Sequence, residues 1–377
     1  MARPAIPVFR PWFGEEEAAA VRETLLGGWV GSGPKTREFE RRFAEFVGAP
    51  CAVGVNSCTA ALYLSLRAAG VEGREVVTTP LTFVATNHAI LAAGGVPVFA
   101  DVEPETLNID PVDVERKIGP RTRAVVVVHF AGHPCRMAEL CEITERRGLV
   151  LVEDCAHAVG ARYRGRHVGN FGRYGCFSFQ AVKNLSTGDG GMITLSDPEE
   201  AERLRRVAWL GIDRGSWERA GARRAWEYDV TELGLKFQMN DIAAAIGLVQ
   251  LGKLREANER RRILARRYDE GFRDLRSVLE TPVVEPDTEP AWHTYVVRLA
   301  REEWRDSLIE FLAEEGISAT VHYIPTHHFR FYRPYRTPLE VADRIWLRLV
   351  SLPLYPGLRE PEQDRVIEAV HDFFRAV

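Results

Sequence analysis

The sequence lacks the features that would place the protein in a membrane, on nucleic acid or outside the cell. No apolar run approaches the roughly 18 residues that a helix needs to cross a bilayer. Neither charge dominates: 49 Lys and Arg residues stand against 53 Asp and Glu residues, a net charge of -4. This near-balance gives no electrostatic reason to expect nucleic acid or a membrane surface as a partner. The first residues contain no continuous apolar segment of a signal peptide, so we predict a cytoplasmic protein.

Cysteine is also scarce and unpatterned. The six cysteines form no CxxC pair, which is typical of reduced thiols rather than of a disulfide framework. His129, His133 and Cys135 are close together in the chain, but no second ligand pair with recognisable zinc spacing accompanies them. We therefore predict no metal.

The first half of the chain alternates short apolar runs with helical patterns. The runs at 124–128 and 149–152 are aliphatic on both faces, which is typical of parallel strands covered on two sides. Met137, Leu140 and Cys141 between them have helical spacing, so the segment is a strand–helix–strand unit. These patterns predict an α/β fold with a large, doubly wound and mostly parallel sheet.

The length of 377 residues favours two domains. Residues 240–241 are typical of the N-terminal cap of a long helix, and residues 282–289 are rich in Pro and Glu, as linkers are. A strand pattern and an amphipathic helix pattern follow. We predict a large domain at 1–251 and a smaller C-terminal α/β domain at 252–377.

Three segments carry residue types that a phosphorylated aldehyde cofactor needs. Asp154 ends an apolar run, at the sheet edge where open α/β sheets bind ligands, unless it only caps the next helix. Lys183 follows another apolar run; if it is buried rather than on the surface, its pKa falls and its amine becomes a nucleophile for a carbonyl. Residues 55–62 place Ser and Thr before a helical pattern, as in a phosphate-binding helix N-terminus or an ordinary cap.

Pyridoxal 5'-phosphate (PLP) requires all three features together. Its aldehyde needs a lysine, its phosphate needs a helix N-terminus, and its ring nitrogen needs a carboxylate. The sequence contains no GxxxxGK[ST] motif, which excludes a P-loop, and no GxGxxG follows a strand pattern. The combination therefore predicts a PLP enzyme.

An ordered series of motifs extends over nearly the whole chain. The series is Gly31–Pro34, Phe39–Glu40, Asn56–Leu62, Thr82–Thr86, His129–Pro134, Glu153–His157, Phe177–Asn184, Gly188–Gly191, Leu233–Gly234, Met239–Ile242 and Ser351–Pro356. It resembles the DegT/StrS family of PLP-dependent nucleotide-sugar aminotransferases. The resemblance implies fold type I, the architecture of aspartate aminotransferase, and a homodimer whose active sites lie at the subunit interface.

The resemblance also implies roles at the cofactor. Lys183 would hold PLP as a Schiff base and shuttle the proton, and Asp154 would face the ring nitrogen. The other implied cofactor contacts are His157 near the 3-hydroxyl, Phe83 stacked on the ring unless it is a core aromatic, and Thr59, the Ala60 backbone and Ser178 at the phosphate. Many relatives bring an Asn of the partner subunit to this phosphate. Lys236 occupies that position here, and a lysine makes such a contact as a point charge.

On the substrate side, the resemblance implies that Ser32, His322 and Tyr323 contact a nucleotide-linked keto sugar and that L-glutamate donates the amino group. Residues 211–214 and 226–228 are similar to those of relatives that act on 4-keto-6-deoxy sugars. The alternatives are an aminotransferase for a cyclitol ketone such as inosose, a sugar dehydratase of the same fold, and a non-catalytic regulator. The dehydratases carry histidine where this chain has lysine, and an intact catalytic set argues against the regulator.

Overall fold

A computed structural model of the protein describes residues 5–220 and 223–377. Residues 1–4 and 221–222, which belong to the predicted large domain, lie outside the described residues. The strands are β1 (Cys51–Val55), β2 (Glu75–Thr78), β3 (Val96–Phe99), β4 (Thr122–Val128), β5 (Val150–Asp154), β6 (Arg162–Tyr163), β7 (Arg166–His167), β8 (Tyr174–Ser178), β9 (Gly191–Leu195), β10 (Leu279–Glu280), β11 (Thr288–Glu289), β12 (Tyr295–Leu299) and β13 (Leu349–Leu352). The helices are α1 (Glu15–Leu26), α2 (Pro34–Val47), α3 (Cys58–Ala69), α4 (Ala85–Ala92), α5 (Pro111–Lys117), α6 (Met137–Arg146), α7 (Pro198–Val207), α8 (Ser216–Arg219), α9 (Asp241–Gly271), α10 (Glu303–Glu314), α11 (Ala342–Ile345) and α12 (Glu360–Ala376).

The large sheet has the strand order β1-β9-β8-β5-β4-β2-β3. Strands β3, β2, β4, β5 and β8 pair in parallel, whereas β9 is antiparallel to both of its neighbours. The central strands are buried on both faces, as their aliphatic runs predict: Val125 and Val126 in β4 and Val152 in β5 are each 0% exposed. The predicted α/β fold with a mostly parallel sheet is confirmed.

Several polar segments lie at one edge of the large sheet because of the directions of its strands. Because β1 and β8 are both antiparallel to β9, and β5 is parallel to β8, the carboxyl ends of β1, β5 and β8 lie on the same side. The residues that follow these ends are Asn56, Cys155 and Phe179. This is the edge at which open α/β sheets bind ligands.

A smaller antiparallel sheet of order β10-β12-β13 lies in the C-terminal part of the chain. The predicted division between residues 251 and 252 falls inside helix α9. Leu251 packs in a core with α2, whereas Tyr268 of the same helix packs in the core of the small sheet, so α9 joins both cores. No helix within residues 5–220 and 223–377 combines the length and the apolar character needed to cross a membrane.

Candidate active site

The first turn of α3 lies beside the start of β9. Ser57 caps the helix, because its hydroxyl accepts a hydrogen bond from the Ala60 amide at 3.1 Å. A Cβ added to Gly191 would lie 2.5 Å from the Ser57 carbonyl carbon, and Gly191 pairs with Ser178. The three predicted phosphate contacts are therefore on neighbouring segments. Thr59 is exposed there, whereas the Ala60 amide is already engaged by the cap.

Asp154 is the last residue of β5 and is 3% exposed. The Thr86 hydroxyl donates to its Oδ2 at 2.7 Å, and the Ala156 amide donates to its Oδ1 at 3.0 Å. Burial raises the pKa of the Asp154 carboxyl; these hydrogen bonds and the charge of Lys183 lower it again only in part. A buried carboxylate of this kind favours a cation as its ligand.

Lys183 is half-buried in the segment between β8 and β9, where its amide donates to the Gln180 carbonyl at 2.9 Å. Burial lowers the pKa of its amine to about 8, although the charge of Asp154 acts in the opposite direction. At pH 7 this pKa raises the neutral fraction of the amine from roughly 0.03% to roughly 9%. The structure therefore brings a usable nucleophile and a buried acid into one centre.

His157 is buried beyond the end of β5 and is covered by the loop that carries Tyr323. Its Nε2 shares a hydrogen bond of 3.0 Å with the Tyr323 hydroxyl, and the two rings stack at 6.0 Å and 19°. Its Nδ1 is buried and has no hydrogen-bond partner within the described part of the chain. Burial, followed by the Lys183 charge, lowers the pKa of His157 well below its ordinary value. The adjacent His322 bonds Ser351 Oγ at 2.8 Å, and burial lowers its pKa to about 4, so both imidazoles are neutral at pH 7.

Phe83 lies on the loop after β2 and is 59% exposed. Its ring centroid is 6.3 Å from that of Tyr323. The alternative interpretation of Phe83 as a core aromatic is therefore wrong, because its ring is exposed and lies beside Tyr323.

Ser32 and Lys236 contact other segments of the single chain than the one that carries Lys183. The Lys236 carbonyl accepts a hydrogen bond at 3.5 Å from the side chain of Asn56, which lies two residues before the start of α3. The Ser32 carbonyl accepts a hydrogen bond from the Trp29 indole at 3.2 Å, and Ser32 lines a separate cleft with Trp209. Lys236 is exposed, with its ammonium 5.1 Å from the centroid of the Trp209 ring. Among the contacts of residues 5–220 and 223–377, none joins Ser32 or Lys236 to Lys183.

Sequence reasoning missed several residues that build the centre. Thr86 donates to Asp154, and the Cys58 thiol lies 3.8 Å from the same carboxylate; both fall inside motifs that carry the family resemblance, which could have identified them. His293 is 1% exposed and stacks on His157 at 4.4 Å. No local pattern in the sequence marks His293.

Within residues 5–220 and 223–377, two groups of potential metal ligands have their atoms close together. The first is His129, Glu153 and Cys155, and the second is His327, His328 and Asp343. In the first, the Cys135 amide donates to His129 Nδ1 at 3.1 Å, so Nε2 carries the proton and donates to Glu153 at 3.2 Å. The carboxylate of Glu153 also accepts from the amides of Gly169, Phe171 and Gly172. Protein hydrogen bonds therefore account for this group, which fixes the loop before β8.

In the second group, the Asp343 Oδ1 lies 2.7 Å from His327 Nε2 and 2.6 Å from His328 Nε2. These are hydrogen-bond lengths, shorter than the roughly 3.3 Å that separates two ligands around tetrahedral zinc. The group is a hydrogen-bonded cluster that ties the loop after Tyr323 to α11.

The model of the DegT/DnrJ/EryC1/StrS aminotransferase family matches residues 11–371 of the chain. The chain belongs to this family. Aminotransferases of the DegT/StrS type use PLP, and the protein is accordingly a PLP-dependent transaminase with the fold of these enzymes.

Individual relatives match over almost their whole length. The spore coat polysaccharide biosynthesis protein SpsC of Bacillus subtilis is 42% identical, covering 98% of this chain and 97% of SpsC. The aminotransferase TlmJ of Streptoalloteichus hindustanus superposes with a TM-score of 0.93 at 40% identity and covers 99% of each chain. The sugar aminotransferase CalS13 of Micromonospora echinospora superposes with a TM-score of 0.90 at 35% identity, over 97% of this chain and 99% of its own.

Proposed function

We propose that this DegT/StrS-family enzyme transfers an amino group from L-glutamate to the ketone of a nucleotide-linked sugar of the 4-keto-6-deoxy class, for amino-sugar biosynthesis. The observation that carries the proposal is the convergence of Lys183 and Asp154, an amine with a pKa of about 8 beside a buried carboxylate. A sugar as the acceptor is supported by similar proteins that are described as a sugar aminotransferase and as a polysaccharide biosynthesis protein.

The residues of the centre fit PLP. Asp154 is buried with its pKa raised, so a protonated ring nitrogen would supply the positive partner that this carboxylate lacks. The buried Nδ1 of His157 has no partner within the described residues, and it would meet the ring's 3-hydroxyl. Phe83 offers an exposed aromatic face to the ring. Thr59, Ser178 and the backbone at Ala60 would hold the phosphate at the N-terminus of α3.

When bound, the cofactor delocalises the negative charge that develops at the reacting carbon of the donor. Lys183 Nζ, an amine whose pKa burial lowers, would take the proton from that carbon and act as the proton carrier of the reaction. Asp154 would hold the ring nitrogen in its positively charged form. His157 stays uncharged and is held in place by Tyr323, and in the second half-reaction the same groups act on the keto sugar.

We further propose that Ser32, His322 and Tyr323 contact the sugar substrate, and that the enzyme is a cytoplasmic homodimer in which Lys236 reaches the phosphate bound by the partner. Its neighbourhood supports an interface, because Trp226, Val230 and Leu233 are 72%, 56% and 75% exposed. Exposed apolar side chains this close together in the chain are typical of a surface that is covered in an assembly.

The proposed function can be tested by measuring the absorbance and the covalent attachment of the cofactor. Wild-type protein reconstituted with PLP should become yellow, and reduction with borohydride should fix the cofactor on the peptide that contains Lys183. L-Glutamate alone should bleach the absorbance with release of 2-oxoglutarate, and the correct keto sugar from a panel of nucleotide sugars and inosose should restore it.

The matched control is Lys117→Ala, a lysine in the last turn of α5, which should behave as wild type, whereas Lys183→Ala should remain unmodified. A colourless wild-type protein after reconstitution contradicts the proposal. Restoration of the absorbance by inosose and by no sugar nucleotide would replace the sugar substrate with a cyclitol.

A further inference from the structure

A column of four stacked rings passes through the centre. His293, just before β12, is 1% exposed and lies between Phe9 at 5.2 Å and 11° and His157 at 4.4 Å and 26°. Tyr323 continues the column on the other side of His157. The function proposed above uses His157 and Tyr323 but gives no role to His293.

The hydrogen bonds around Asn184 determine which atom of His293 carries the proton. The amide nitrogen of Asn184 donates to the Ala291 carbonyl at 2.7 Å and to Asn258 Oδ1 at 2.9 Å. A carbonyl oxygen only accepts, so the side-chain atom of Asn184 that faces the Ala291 carbonyl must be the nitrogen. The Val159 carbonyl, 3.0 Å from Asn258 Nδ2, sets the orientation of the Asn258 amide in the same way. The remaining Asn184 Oδ1 must therefore accept from His293 Nδ1, which lies 3.2 Å away.

His293 is a neutral imidazole with its hydrogen on Nδ1. Burial lowers its pKa well below the ordinary value. The titratable groups that face it are Lys183, His157, Arg261 and His322, and positive charge on any of them would lower this pKa further. A neutral ring donates one hydrogen bond of fixed direction, and it stacks on His157 without adding a second charge beside the Lys183 amine.

Asn184 is the residue that follows Lys183 in the chain. We propose that His293 is a positioning residue, whose Nδ1–H bond to Asn184 fixes the backbone that carries Lys183 while its ring holds His157 in line. This inference rests on the proposed roles of Lys183 and His157. It links the start of β12 to the residue next to Lys183 through one hydrogen bond, across 109 residues of sequence.

Two substitutions separate the hydrogen bond from the stack. His293→Asn keeps a donor at the Nδ1 position and loses the ring, whereas His293→Phe keeps a ring between Phe9 and His157 and loses the donor. In His293→Phe we expect kcat of the L-glutamate half-reaction to fall by about 10²-fold, the order seen when a reacting group is misplaced by about 1 Å, with KM nearly unchanged. His293→Asn should recover most of this loss.

A second readout does not depend on turnover. The rate at which cofactor-free protein captures PLP covalently, followed by absorbance across pH, reports the neutral fraction of Lys183 and should have its midpoint near pH 8 in wild type. In His293→Phe the amine is less firmly held in its buried position, so the midpoint should move upward, toward that of an ordinary lysine. A merely structural role would leave this midpoint in place.

Each outcome decides one question. A wild-type kcat and midpoint in His293→Phe overturns the inference, and so does an equal loss in both variants, because the hydrogen bond would then not be the link. If His293→Phe does not fold, His293→Gln, whose amide lies at the Nε2 position instead, should show the same loss and upward shift. If wild type captures no more PLP than Lys183→Ala does, the proposed function fails, whatever His293 contributes.

Discussion

Replacement of Asp154 by Asn should have opposite effects on activity and on the stability of the cofactor-free protein. Burial raises the pKa of the Asp154 carboxyl, so the folded state binds this proton more tightly than the unfolded state does. By linkage, the free energy of unfolding then falls as pH rises from the unfolded-state pKa through the raised folded-state pKa. At neutral pH the charged carboxylate is therefore a cost to the cofactor-free fold, and an uncharged side chain of the same shape removes that cost.

The hydrogen bonds at the site accommodate asparagine. Its Oδ1 can accept from the Ala156 amide, and its Nδ2 can donate to the Thr86 hydroxyl, which in turn donates to Thr82 Oγ1 at 2.9 Å. The oxygen and the nitrogen of the asparagine amide then each have one hydrogen-bond partner. We therefore expect the melting temperature of cofactor-free Asp154→Asn to equal or exceed that of wild type in a thermal-shift assay at neutral pH.

In the loaded enzyme the same change removes the anion that faces the protonated ring nitrogen. Loss of one member of a buried charge pair costs about 3–5 kcal/mol, which corresponds to roughly a 10²–10⁴-fold loss in kcat at about 1.4 kcal/mol per tenfold. The matched control is Asp113→Asn, a buried aspartate that accepts the Asp101 amide at 2.7 Å; it should keep its kcat and lose stability. If Asp154→Asn also melts lower than wild type and retains its kcat, the reasoning is wrong.

Two further predictions concern the amine and the phosphate end of the site. Covalent capture of PLP by cofactor-free wild type should accelerate as pH rises through about 8, because Lys183 then loses its proton; a midpoint above pH 10 in the absorbance assay would contradict the buried amine. Gly191→Ala should weaken PLP affinity, measured by equilibrium titration, because the added Cβ would lie 2.6 Å from the Ser57 carbonyl oxygen and displace the first turn of α3. The control Gly252→Ala, in α9 with no atom within 4 Å of the added Cβ, should leave affinity unchanged and raise the melting temperature; equal affinity in both variants would refute the prediction.

The sequence was informative about strands that are buried on both faces. The aliphatic run at 124–128 becomes most of β4 (Thr122–Val128), because an apolar run must be covered on two sides wherever it lies. The run at 192–195 lies in β9, which is also buried, but nothing in this run indicates that the strand is antiparallel to β8. An apolar run carries no information about direction; only the short connection from β8 and the partners on either side determine it.

The buried face of α9 could not be predicted from its large apolar residues. Ile242 and Ile246 are half-buried, whereas the neighbouring Ala243, Ala244 and Gly247 are buried. A Cβ on Gly247 would lie 2.6 Å from the Phe39 ring, so α9 and α2 approach closely enough to require small residues. Hydrophobic periodicity favours large side chains as core positions, and it cannot anticipate a close contact made by a distant phenylalanine.

Sequence patterns predict some residues of the candidate site and not others, because they report only on local neighbours. Asp154 and Lys183 each follow an apolar run at a strand end, so local pattern and sheet geometry together predict their edge of the sheet. His293 has no such signal, because its significance comes from Asn184, which is 109 residues away, and from two rings that stack on it. Long-range contacts of this kind exist only after distant segments of the chain have packed together.

The electrostatics of the centre explain why these groups are buried together. Burial lowers the pKa of Lys183 and of His157 and raises that of Asp154, so each group is shifted toward its uncharged form. Such a set destabilises the fold unless a ligand supplies the missing partners, and a ring that carries a protonated nitrogen and an aldehyde supplies partners for the acid and the amine at once. Burial of these groups therefore destabilises the cofactor-free protein, and binding of PLP removes that cost. The free energy of unfolding should increase on cofactor binding by more than an exposed Schiff base alone would provide.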